Sequence, residues 1–124
     1  MSESLERAVI EAFVYVAASD GNFAAPELER FVAWAKEQPL FADAEPAQLA
    51  ARFGDVAARF VADFAEAERS ALALIAEQEG SSEAADLLLN AAGVAVVADG
   101  ALKEVEETAV DRVARALGRE PSNR

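Results

Sequence analysis

The sequence predicts an all-α protein: a single compact domain of about six helices, built from two duplicated helix–turn–helix hairpins plus two middle helices. Three observations carry this. Alanine, leucine, glutamate and arginine dominate the 124 residues, and all four are strong helix formers. The alternating apolar and polar pattern of a half-buried strand is absent. Apolar residues instead recur at helical steps of three and four, as in Leu5, Val9, Ala12, Phe13, Val16 and Ala17.

Those six residues define the face of a first helix, with Glu3, Glu6, Arg7 and Glu11 expected largely off it and Ser2 or Ser4 at its start. It ends near Asp20-Gly21. Pro26 suits the first turn of a second helix, which turns Leu28, Phe31, Val32 and Ala35 inward and stops at Pro39. Asp43 or Glu45 is a candidate cap for a third helix, from about Ala47 to about Phe64, with Leu49, Phe53, Val56, Phe60 and Phe64 on its apolar side. Gly54 weakens it mildly. The stretch "DFAE" has capping-box spacing between Asp63 and Glu66, which breaks the chain into a fourth helix ending by Gly80. Ser81 or Ser82 caps a fifth, carrying Leu87, Leu88, Ala91, Ala95 and Ala98. A sixth holds Val105, Val110, Val113, Ala114 and Leu117, with Gly118 as its stop. The domain is read as 1–118, with 119–124 a short polar tail.

Composition narrows the chemistry. With no cysteine and no histidine, disulfides, Cys/His zinc sites, Ser-His and Cys nucleophiles, and haem ligation by those residues are excluded. The opening "MSESLERAV" lacks the basic and apolar regions of a secretory signal. No apolar run approaches the roughly 20 residues of a membrane span, so direct membrane insertion is not expected. Asp+Glu number 23 against Lys+Arg 11, a net charge of -12. Such a surface repels phosphate backbones and anionic lipid and suits cations and basic partners. It is also a common surface for a soluble protein.

The internal repeat is the most specific feature. "SDGNF" at Ser19–Phe23 recurs as "ADGAL" at Ala98–Leu102, with the two aspartates 79 residues apart. At that offset Phe23 falls on Leu102, Glu27 on Glu106, Phe31 on Val110, Ala35 on Ala114, Val9 on Leu88 and Ala12 on Ala91. Residues 3–36 and 82–115 therefore read as two copies of one unit.

Each copy spells D-G-x-h-x-x-x-E, with h apolar, which is the second half of an EF-hand calcium loop. Asp20 and Glu27, then Asp99 and Glu106, supply carboxylates, and the carbonyls of Asn22 and Ala101 a further oxygen each. The first half of the loop is replaced by Val16, Ala18, Ala95 and Val97. Each half-site thus offers about four oxygens where calcium takes roughly 6–8. Glu29, Glu104 and Glu107, or Glu11 and Asn90 nine residues before each aspartate, are candidates to complete it. The same residues also serve without a metal. Asp-Gly makes a tight turn unaided, Phe23 and Leu102 plug the hairpin ends, and a glutamate in a first turn complements the helix dipole.

"VAASDGNFAAPELERFV", "DFAEAERSALALIAEQEG" and "AAGVAVVADGALKEVEETAVDRVARALG" together resemble the tellurite-resistance TerB-like family from about Leu5 to Gly118. The resemblance implies a compact, cytoplasmic, non-enzymatic all-α domain tied to tellurite and stress resistance, with relatives serving as modules of a membrane-anchored co-chaperone. It implies protein partners, in a membrane-associated stress complex, and no nucleic acid. It also implies that Asp20, Glu27, Asp99 and Glu106 bind a divalent cation (Ca²⁺, Mg²⁺, Mn²⁺ or Zn²⁺). Ala24-Ala25-Pro26 departs from the polar helix start of the family, whereas Lys103-Glu104 keeps the second copy polar.

Three functions follow for comparison. A cation-binding stress protein expects the four acids to be exposed. A helical interaction module uses them only as caps and solubilising charge, with Trp34 or Phe41 as exposed anchors in place of core residues. An enzyme would have to work through carboxylates, Ser, Lys or Tyr15, which sits in an apolar run and reads as core. The second is the alternative to the first; the third has no substrate pocket to point to.

Overall fold

The computed structural model describes residues 2–19, 25–98 and 104–119. Among them lie six helices: α1 (Ser2–Ala18), α2 (Ala25–Lys36), α3 (Pro46–Ala62), α4 (Phe64–Ala76), α5 (Ser82–Ala98) and α6 (Glu104–Ala116). A single 3-10 turn at Pro39–Phe41 links α2 to α3, and no strand occurs among the described residues. The all-α, single-domain expectation holds. No described helix is long and apolar enough to cross a membrane.

The boundaries follow local chemistry. α2 stops three residues short of Pro39, which opens the 3-10 turn. Lys36 Nζ then donates to the carbonyls of Ala42 and Ala44 at 2.9 and 2.6 Å, holding the connector against the end of α2. Glu45 is the residue before α3, but its side chain makes no capping bond; Pro46, which has no N–H to satisfy, opens the helix instead. Asp63 caps α4 as its spacing foretold, accepting from the Glu66 N–H at 3.2 Å. Ser81 Oγ accepts from the Ala84 N–H at 3.1 Å at the head of α5. α6 ends in a Schellman arrangement around Gly118, whose φ is +74°. The Arg119 N–H reaches the Ala114 carbonyl at 2.8 Å and the Gly118 N–H that of Arg115 at 3.0 Å.

α1 is the centre of the fold. It packs most extensively on α5, then on α4 and α3, with α6 also against it, while α2 lies on α5 and α3. Every residue from Ala8 to Ala18 is buried in consequence. The single apolar face expected of this helix is therefore a full circumference, and Glu11, expected off that face, is inside. The buried side of α5 is largely alanine (Ala84, Ala85, Ala91, Ala92, Ala95), which keeps the layer over α1 thin.

Two aromatic groups fill the space around α1. Phe31 of α2 meets Phe13 at 5.0 Å between ring centroids, Phe53 at 5.6 Å, and Trp34 and Phe41 at 6.4 Å each. Tyr15, Phe60 and Phe64 form the second, with Tyr15 stacked on Phe60 at 5.9 Å. Trp34 and Phe41 are 7% and 1% exposed, so neither is a surface anchor.

Gly54 offers a direct test of helix propensity. It is exposed mid-α3, and a Cβ there would meet nothing within 4 Å. Gly54→Ala is expected to raise stability by about 0.5–1 kcal/mol, read from the urea midpoint. An unchanged or lowered midpoint would contradict the assignment of this stretch as a regular, solvent-facing helix.

Candidate functional site

The predicted acids meet the structure unevenly. Asp20 and Asp99 lie outside the described residues, and so do both DG turns. Glu106 falls on α6, with its side chain outside the described part. The separation of the two acid pairs is therefore also outside it. Glu27 is described, and it corrects an expectation: it is 2% exposed, not a surface acid. It occupies the first turn of α2 and is engaged by neighbouring groups. The unpaired N–H groups and dipole of a helix N-terminus favour a carboxylate there, which lets it be buried without a full desolvation penalty.

Two of the residues offered to complete the half-sites, Asn90 and Glu11, are committed elsewhere. Asn90 Oδ1 accepts from Trp34 Nε1 at 2.6 Å, tying α5 to α2. Glu11 Oε2 is held by Arg59 of α3. Glu29 is exposed. No group of three acidic side chains able to hold a metal occurs among the described residues. The described side chains by themselves therefore assemble no cation site.

The structure adds two polar constellations that periodicity did not reveal. The first is a cleft of ≈ 340 Å³ between α1 and α3, lined by Glu6, Glu11, Arg52, Asp55 and Arg59 among others. Arg52 pairs with Glu6 at 3.0 Å. Glu11 is the most deeply buried charge there, its side chain 3% exposed against 48% for its partner Arg59. A sequence signal existed: Glu11 is the one charged residue in the otherwise nearly apolar run from Ala8 to Ala18, with arginines on α3 at Arg52 and Arg59, seven residues apart and so near one face.

The second joins α1, α4 and α6. Tyr15 Oη donates to Glu68 Oε2 at 2.6 Å, and Arg112 Nη1 donates to the same oxygen at 2.6 Å. Burial, then the hydrogen bond and negative charge of Glu68, push the Tyr15 hydroxyl well above the ordinary phenol value. Glu68 likewise raises Arg112. Tyr15 reads as core, as expected, with its hydroxyl tied into this bridge.

The bridge makes stability fall in alkali. Unfolded tyrosine ionises near pH 10, before the folded one does. Above that pH the unfolded state binds fewer protons, so stability is full below about pH 10 and declines as the pH climbs further. Tyr15→Phe is expected to cost about 1 kcal/mol at neutral pH and to flatten that decline. Urea titrations at several pH values check both, and an identical alkaline limb in the variant would refute the assignment.

No match was found among curated proteins or among solved structures. The family model of the tellurite resistance protein TerB matches residues 6–124, nearly the whole chain and all six helices, apart from the first residues of α1. With the all-helical fold in place around that match, the chain belongs to the TerB family.

Proposed function

We propose that this is a non-enzymatic, cytoplasmic TerB-like tellurite and stress-resistance protein that binds divalent cations weakly through its two acidic DGx(F/L)xxxE loops. The observation that carries the reading is the doubled motif inside a chain of this family, with Asp20, Glu27, Asp99 and Glu106 as the carboxylates. Glu27 supports it in one respect. Its carboxylate lies in the first turn of α2, three residues after the 20–24 segment, which is where the motif requires it. With Asn90 and Glu11 committed, affinity is low and water or a partner completes the shell. Protein partners in a stress complex are then the second half of the function.

Calorimetry and thermal melts with Ca²⁺, Mg²⁺, Mn²⁺ and Zn²⁺ test this. At about ten times Kd a single bound ion adds about 1.4 kcal/mol, a rise in Tm of about 5 °C for a chain of this size. The double variant Asp20→Ala/Asp99→Ala is expected to abolish that rise while keeping its fold. No heat and no shift with any of the four ions would refute the reading.

A second reading, a helical adaptor or co-chaperone-type module whose acids are structural, is favoured by two observations. Glu27 is inside, where a structural acid would be, and Val61 and Phe64 stand 75% and 36% exposed where α3 turns into α4. Partner capture that is unaltered in the same double variant would select it.

A further inference from the structure

We propose that the cleft between α1 and α3 binds a small aliphatic primary ammonium compound, with Glu11 as its acceptor. The inference is independent of the two DG loops. Glu11 Oε2 is satisfied by Arg59, but Oε1 is buried and has no hydrogen-bond partner among the described residues. A buried carboxylate oxygen without a donor is costly, and almost all such groups in folded proteins are satisfied. Glu11 lines the cleft, so a donor bound there stands against this side chain.

The surroundings select the chemistry. A divalent metal is disfavoured because it takes about six oxygen ligands, and the Glu6 and Glu11 carboxylates here are already paired with Arg52 and Arg59. An anion would find Arg7, Arg52 and Arg59 lining the same space, but two of them are already paired, with Glu6 and Glu11. Asp55 is exposed on the cleft wall, leaving negative charge at the mouth. Ile10 and Val56 supply apolar lining, which suits a methylene stem. A single unpartnered oxygen asks for a single N–H donor, which a primary ammonium on an aliphatic chain provides with two more to spare for Asp55 or water. The net charge of -12 concentrates such polycations around the chain.

The probe is 1,5-diaminopentane, added to the full chain and followed by amide chemical shifts and calorimetry. 1,5-Bis(trimethylammonio)pentane, a dication of the same chain length with no N–H, is the control. Saturable shifts confined to α1 and α3, absent with the bis-quaternary control, are expected. Glu11→Gln should weaken binding about tenfold, the loss of one charge-assisted hydrogen bond. If Glu11→Gln does not fold, the exposed variant Asp55→Asn decides by a weakening of about twofold in the same titration. The Asp20→Ala/Asp99→Ala variant should bind the diamine as the wild type does, so failure of the loop reading and failure of this one are separable. The proposal is overturned by equal shifts with the bis-quaternary control. It is overturned also by undiminished binding in the deciding variant, or by no saturable shift at millimolar diamine, which would mean internal water alone serves Oε1.

Discussion

Phe31→Ala is expected to cost about 4 kcal/mol, the largest loss of any single truncation considered. Phe31 is fully buried, and its ring is the one that touches Phe13 on α1, Trp34 on its own helix, Phe41 in the 3-10 turn and Phe53 on α3. Removing it leaves a cavity bounded by rings that cannot all collapse inward, because each is anchored on a different element. A domain of this size has roughly 5–15 kcal/mol in total, so the variant should retain its fold but melt about 15 °C lower. The position equivalent to Phe31 in the second copy is Val110, which is only half-buried. Val110→Ala should cost far less, about 1 kcal/mol. Equal losses at the two positions would refute the claim that the aromatic cluster is what fixes α2.

Arg59→Met is the second large effect, with an expected loss of about 2 kcal/mol. It removes the one partner seen for the buried Glu11 carboxylate and leaves that charge enclosed by α1 and α3. Breaking a fully buried pair costs roughly 3–5 kcal/mol, and the half-exposed Arg59 end is discounted for water. The sign of the cycle is the sharper prediction. Glu11→Leu in the Arg59→Met background should recover most of the loss, because an apolar pair needs no compensation. Urea unfolding of all four corners measures this. If Arg59→Met is as stable as wild type, Glu11 is not held by Arg59, and the geometry of the α1–α3 cleft is wrong.

The helices were legible because their signals are local. Asp63 with Glu66 three residues on, Pro46 at a helix start and Gly118 after Leu117 each act on neighbours in sequence. Leu49, Phe53, Val56 and Phe60 were legible by period, and all four are buried. The 3-10 turn at Pro39–Phe41 was not, since proline forbids continuing the α-helix without specifying what replaces it. Nor was the cap of α3: Asp43 and Glu45 both had a suitable side chain, but Pro46 alone was enough to start the helix.

The candidate sites divided differently. The doubled motif was legible in full as a pattern, and Glu27 was placed correctly in a first turn. Its burial was not, because exposure depends on which elements cover the helix end. The same holds for Asn90, offered as a cation ligand and found accepting from Trp34 across 56 positions of chain. Tyr15 was legible as core by its neighbours, but Glu68 and Arg112, its partners through 53 and 97 residues of separation, were not.

By itself the sequence determined the helical class, most helix ends, the absence of His and Cys chemistry and the family, since composition, caps and motif spacing act over a few residues or survive as a pattern. The tertiary structure alone decided that α1 is enclosed on every side from Ala8 onward. A helix with one strongly apolar face is ordinarily read as half-exposed; here α3, α4, α5 and α6 close around it. That enclosure turns Glu11 from a surface acid into a buried charge that has to be answered from another helix. No periodicity in α1 could show it, because the reason lies in what packs on the helix and not in the helix itself.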